Sequence, residues 1–226
     1  MARTQQVAVL GLGRFGSAVA RELTHLGHEV FAIDSNERIV QEIAEDVTHA
    51  AQADITDQSA LEELGLAEFD AAIVAMSSDL EVSILATVLL RQLRIPIIVA
   101  KAATKLHGSI LAQVGATRVV YPENDTGVRV AHSFAAPSVH DYLSVAPGYG
   151  IALFDLPEAW VGKTIRDLVQ QAATGVTIVA LHRSRSVTIN PGGSEALRAG
   201  DQIVVAGLDE SLESVWGSAG TPASPS

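Results

Sequence analysis

The stretch Val7-Ala8-Val9-Leu10-Gly11-Leu12-Gly13-Arg14-Phe15-Gly16 limits what this chain can fold into more than any other. Four apolar residues spell a buried strand, and Gly11, Gly13 and Gly16 make a G-x-G-x-x-G turn. A helical pattern follows at once, with Ala18, Val19, Leu23 and Leu26 on one face and Gly27 as its stop. In such a turn Gly11 permits the tight bend and Gly13 lets the backbone approach a phosphate. Gly16 lets helix and strand pack closely, and the helix N-terminus offers unpaired N–H groups to an anion. Arg14 adds a permanent cation inside a turn that ordinarily relies on backbone alone.

The residues downstream supply what a nucleotide fold needs. Residues 28–34 read as a second strand ending in Asp34, about 20 residues past the glycines, where a dinucleotide fold places its ribose acid. An acid there disfavours a 2′-phosphate, and with it NADP. Asn36 either caps the next helix or touches the same ribose. Asp54 and Ile55 follow a short third strand. They either flank an adenine, the acid accepting from the exocyclic amine, or belong to a polar loop with nothing bound. A fourth strand, residues 71–76, is apolar throughout as if covered on both faces; at its end Met76 either packs in the core or, with Ser77, contacts the ribose. Lys101 ends a fifth strand. With Arg14 it gives two cations at one sheet edge, which suits a polyphosphate better than a pyrophosphate cradled by backbone. Glu123 follows a sixth strand, residues 118–122. It is either a first-turn helix acid or, beside phosphates, an oxygen ligand for a hard cation such as Mg²⁺ or Ca²⁺.

Helical patterns separate these strands, over residues 57–66, from Asp79 to Leu93, over 104–114 and over 123–134. The alternation predicts an α/β fold, a Rossmann-like doubly wound parallel sheet with its ligand at the carboxyl ends of the strands. Residues 135–138 read as a linker, which sets a first domain at 1–137. Residues 138–216 read as a small α+β domain with strands at 151–156, 176–181, 187–189 and 202–206 and helices at 163–172 and 209–215. Residues 217–226 are small and polar and read as a disordered tail.

The formal charge of −11 opposes broad nucleic-acid binding, because phosphates would be repelled. There is no cysteine, so disulfides, thiolate metal sites and cysteine nucleophiles are excluded. The first strand begins too early for a signal peptide, and the best apolar run, residues 83–90, is far short of the roughly 20 a membrane helix needs. A soluble cytoplasmic protein is expected. The seven histidines show no metal spacing, with His25 and His28 reading as surface; His132, His140 and Asp141 make a weak catalytic set, and Arg183 and Arg185 read as a solvated hairpin turn.

The glycine turn with Arg14, Asp34 with Asn36, Ala53-Asp54, Ile73-Val74-Ala75-Met76 and Pro122-Glu123-Asn124-Asp125-Thr126-Gly127 together resemble an RCK (KTN) domain. The pattern is most similar to regulatory subunits of Ktr/Trk-type bacterial potassium transporters. The resemblance runs over about residues 6–135, and more loosely over the remainder through Ile189-Asn190-Pro191 and Ala199-Gly200-Asp201-Gln202-Ile203-Val204-Val205. It implies an RCK N-terminal domain, an RCK C-terminal domain and a non-enzymatic role. It further implies a cytoplasmic homo-oligomer, dimers assembled into an octameric ring, docked on an integral-membrane potassium-translocating subunit (KtrB- or TrkH-like). ATP would activate and ADP inhibit. Arg14 would reach the γ-phosphate of a nucleotide in the neighbouring subunit, and Glu123 would help hold a divalent cation between subunits. Some relatives bind cyclic di-AMP across the C-terminal domain, for which Ile178 and Pro191 are candidate groove residues. Asn124 stands where relatives often carry a basic residue. Two other readings remain open: an NAD(H)-sensing regulatory subunit of the Trk branch, and an NAD-dependent oxidoreductase, for which no acid–base set stands near the strand ends.

Overall fold

A computed structural model describes residues 4–135, 138–171 and 175–217. They divide along the chain into two compact units, the boundary falling between Glu123 and Asn124. The expected linker lies partly outside the described residues, at 136–137, and the expected tail lies outside them except for Gly217.

The first unit alternates strand and helix as the punctuation predicts. It runs β1 (Gln6–Leu10), α1 (Arg14–His25), β2 (Glu29–Asp34), α2 (Glu37–Ile43), β3 (His49–Gln52), α3 (Gln58–Glu63), β4 (Ala71–Val74), α4 (Leu80–Gln92), β5 (Ile97–Lys101), α5 (Lys105–Val114) and β6 (Arg118–Val120). All strands are parallel, in the order β3-β2-β1-β4-β5-β6, so the order reverses at β1. The expected doubly wound sheet is therefore present. The helix starts are capped by the residue types the sequence offers: Asn36, Asp57, Asp79 and Thr104 each accept a backbone N–H in the first turn that follows. Alternation along β1 sends Ala8 and Leu10 to a core shared with Leu61, Leu90 and Leu111. Val9 goes to a second core with Ala20, Val40 and Ile43. The sheet is thus covered on both faces, which is why β4 carries no polar residue.

Register sets the site. Leu10 stands beside Ile33 and Val74, and Val74 beside Ala100. The next residues along, Asp34, Gly11, Ala75 and Lys101, form a row at the carboxyl edge of the sheet.

The second unit holds most of α6 (Pro122–Ala135), then β7 (Val139–Ala146), β8 (Tyr149–Asp155), α7 (Ile165–Gln171), β9 (Val176–Arg183), β10 (Ser186–Ile189), β11 (Gln202–Leu208) and α8 (Asp209–Gly217). Its antiparallel sheet runs β10-β9-β11-β8-β7 over a core that includes Tyr142, Phe154, Trp160, Leu168 and Leu212. Strand β7 was not expected. Its register shifts between Val139 and Asp141 and again between Ser144 and Ala146, so its buried residues, Val139 and Tyr142, do not alternate in the sequence. Arg183 also differs from the solvated reading. It ends β9 and forks onto the nearly buried Asp201 at 2.8 and 2.7 Å, with Glu195 at 2.8 Å. Arg183 holds the Asp201 carboxyl below its ordinary range.

Candidate functional site

Gly11 has φ +88°, a conformation that glycine adopts without strain, and its N–H donates to the Ile33 carbonyl at 2.8 Å. A side chain on Gly16 would collide with the carbonyl oxygen of Gly11, so the helix can lie this close to the strand only with glycine there. Among the described residues, a side chain on Gly13 would meet nothing. Gly13 opens α1 with no side-chain cap and no acid in the first turn, which leaves the first-turn N–H groups to an outside anion.

Asp34 is wired into the turn. Its Oδ2 accepts the Leu12 N–H at 2.7 Å and its Oδ1 the Asn36 N–H at 2.9 Å. Each carboxylate oxygen retains acceptor capacity, so a ribose diol can still be held. Asn36 uses its side-chain oxygen to cap α2, on Arg38 N–H at 3.1 Å.

Beside this edge opens a cleft of about 360 Å³ lined by Gly11, Asp34, Ser35, Ala53, Asp54, Ile55, Thr56, Met76, Asp79 and Val82. It brings together five residues expected from the sequence: Gly11, Asp34, Asp54, Ile55 and Met76. Ile55 is nearly buried, offering one apolar face. Asp54 Oδ1 accepts from the Thr56 hydroxyl at 2.6 Å and the Thr56 N–H at 2.8 Å, which together hold its carboxyl below the ordinary range. Ser35, Ala53, Thr56, Asp79 and Val82 were not expected as lining. Thr56 and Asp79 stand in the loops after β3 and β4, and the register of those strands turns them toward one space. Three carboxylates around the cleft suit a neutral, hydroxyl-rich or amine-bearing group and repel phosphate.

A second cluster stands at the same sheet edge. Lys101 Nζ lies 2.6 Å from Glu123 Oε1 and 5.5 Å from the Phe15 ring centroid. The hydrogen bond from Lys101 depresses the Glu123 carboxyl below its ordinary range, and the Arg14 charge adds to the shift. Phe15 otherwise packs against the core on the α1 side of the sheet. Arg14 is exposed and, among the described residues, has no hydrogen bond or ion pair. Ser77 is half-buried and does not line the cleft. Among the described residues no group of three or more His, Asp or Glu could hold a metal ion. One exposed carboxylate already paired with a lysine does not complete the shell of Mg²⁺ or Ca²⁺. Ile178 and Pro191, expected to line a groove, are both buried, Ile178 in the core of the second unit. Among the described residues no helix is long and apolar enough to cross a membrane.

Comparison with known proteins gives a consistent family. The TrkA-N domain family matches residues 7–122 and the TrkA-C domain family residues 151–215. Ktr system potassium uptake protein A of Bacillus subtilis is 36% identical over 93% of this chain and 95% of its own length. Among solved structures, the GsuK RCK domain superposes with a TM-score of 0.68 at 20% identity, covering 98% of this chain and 49% of that one. The GsuK channel bound to NAD gives a TM-score of 0.66 at 20% identity, covering 98% and 41%. This chain thus spans about half the length, or less, of the channel proteins it superposes on.

Proposed function

The chain belongs to the TrkA-N/TrkA-C family of Ktr-type potassium uptake proteins, and from that premise we propose that it is a nucleotide-sensing regulatory subunit rather than an enzyme. The observation that carries this reading is the uncapped start of α1 at Gly13, set beside Asp34 and the acidic cleft. A nucleoside fits the cleft, its ribose on Asp34 and its base between Asp54 and Ile55. The phosphates extend along the glycine turn toward Arg14 and Lys101. ATP is the activating ligand and ADP the inhibiting one. Arg14, whose side chain has no hydrogen bond or ion pair among the described residues, reads the terminal phosphate of the nucleotide in the neighbouring subunit. A divalent cation joins only where phosphate oxygens and a second Glu123 complete its shell.

The subunit is cytoplasmic and docks as a ring on an integral-membrane potassium-translocating subunit. Self-assembly is supported by α6, which buries none of its residues. Cyclic di-AMP forms no part of the proposal, because the two residues that would receive it are interior.

ATP can shift the ring only by its differential affinity for two states, typically about 1–3 kcal/mol of coupling. Titration calorimetry on Arg14→Ala should show retained nucleotide binding and a lost preference for ATP over ADP. A variant that discriminates as the wild type does would remove Arg14 from the mechanism. NAD(H) is the second reading, favoured by the GsuK channel of the same fold, which was solved bound to NAD. Mass spectrometry of the nucleotide retained on purification separates the two.

A further inference from the structure

We propose that Lys101 is a latch shared between two anions: Glu123 holds it while the turn is empty, and the phosphates of a bound nucleotide draw it away and release the carboxylate. This rests on the nucleotide reading above. The geometry supports exchange rather than a fixed pair. Lys101 Nζ is 2.6 Å from Glu123 Oε1, yet its side chain is 12% exposed while that of Glu123 is 70% exposed. The lysine stem is sheltered while the carboxylate stands largely in water, so only the ammonium tip need change partner.

The position of the ammonium group also favours exchange. Lys101 follows Ala100, and the strand register sets Lys101 two strands from Gly11 at the same edge, about 10 Å between backbones. Its Nζ already lies 5.5 Å from the centre of Phe15, the residue between Arg14 and Gly16 of the turn. A small movement of a four-carbon stem therefore carries the charge from carboxylate to phosphate. A polyphosphate carries several charges against one on Glu123, so the exchange is downhill once the turn is filled. The released Glu123 sits in the first turn of α6, where the helix dipole keeps it ionised. It is then free to meet a cation from elsewhere. Nucleotide binding is thereby converted into the freeing of a carboxylate from its lysine at the start of α6.

The test is a double-mutant cycle by titration calorimetry with ATP in excess EDTA, so that no divalent ion contributes. Glu123→Gln should bind ATP about two- to tenfold more tightly than the wild type, because Lys101 is released in advance. Lys101→Met should bind more weakly, and adding Glu123→Gln to it should change nothing further. If Glu123→Gln tightens binding equally in the Lys101→Met background, the effect is simple repulsion of phosphate by Glu123 and the latch is overturned. No tightening in the wild-type background overturns it as well. Lys101→Gln replaces Lys101→Met should the latter not fold. A wild-type chain that binds neither ATP nor ADP overturns the nucleotide reading itself, a different result from either failure of the latch.

Discussion

A methyl group on Gly16 would overlap the carbonyl oxygen of Gly11 and press on Ala75, whereas one on Gly13 would stand in open space. The two glycines of one motif therefore do different work, and substitution separates them. Gly16→Ala should cost about 1–3 kcal/mol of stability or more, since backbone cannot yield as a side-chain end can. Gly13→Ala, at a φ of −61° that any residue adopts, should stay within about 1 kcal/mol of the wild type in a denaturant melt. Its ATP affinity should nevertheless fall about tenfold, because the methyl occupies space a phosphate needs. Wild-type affinity in Gly13→Ala would show that the phosphates do not pass that backbone. At this scale the sequence was readable wherever a residue type has few uses. Glycines, the strand-end acid Asp34 and the caps carried their meaning openly. Asp79 did not, because a helix cap and a cleft wall look alike until β4 is placed beside β1. Nor did the partnership of Lys101 with Glu123, which depends on a fold contact across residues 101–123 that no local pattern records.

Helices α4 and α5 are joined by a polar contact inside an apolar core. His107, 1% exposed, has Nε2 2.9 Å from the hydroxyl of Ser83, and its Nδ1 accepts the Ala103 N–H at 3.3 Å. With Nδ1 accepting, the proton sits on Nε2 and is donated to Ser83, whose hydroxyl donates in turn to the Leu80 carbonyl at 3.0 Å. Burial lowers the His107 pKa below its ordinary 6.5. Below that ordinary value the unfolded chain takes up a proton that the folded chain refuses. The stability contributed by this group is therefore complete above about pH 6.5 and is lost as pH falls toward the lowered folded value. Urea melts between pH 7 and 5.5 should show the wild type losing up to about 1 kcal/mol more than His107→Gln. Parallel pH slopes for the two proteins would mean that His107 takes its proton in the folded state. Elements were legible to different degrees for a related reason. The first unit is a parallel sheet, whose central strands β1 and β4 are apolar runs and whose strands are separated by helices, so period and punctuation agree. The second unit is antiparallel and bulged. In β7 two register shifts break the alternation, and a strand whose buried residues stand three apart cannot be found by a period of two.

At the scale of the whole molecule, the residue that stands out is Phe134, 89% exposed near the end of α6, with Val130, 62% exposed, one turn before it. The helix is not loose. Arg129 forks onto Asp141 at 3.0 and 2.9 Å, and His132 stacks on Tyr142 with ring centroids 3.8 Å apart. A helix anchored on one stripe by polar contacts, with an apolar pair at i and i+4 left in water on the next, is built to be covered by something else. A second copy of the chain is the occupant that the ring proposal requires. Each copy carries a formal charge of −11, so like-charge repulsion opposes this contact while apolar burial favours it. Two consequences can be checked together by light scattering after size exclusion. Added salt should strengthen assembly of the wild type by screening the repulsion, the opposite of its effect on a contact held by ion pairs. The double substitution Val130→Gln, Phe134→Gln should bring the mass down toward that of a single chain at all salt concentrations. Its far-UV circular dichroism and thermal midpoint as a monomer should be preserved, since both side chains are largely exposed and glutamine is a good helix former. An unchanged mass in the variant would place the self-association surface elsewhere. A wild type that is already a single chain would remove the ring, and with it the route by which one subunit's Arg14 reads its neighbour's phosphate.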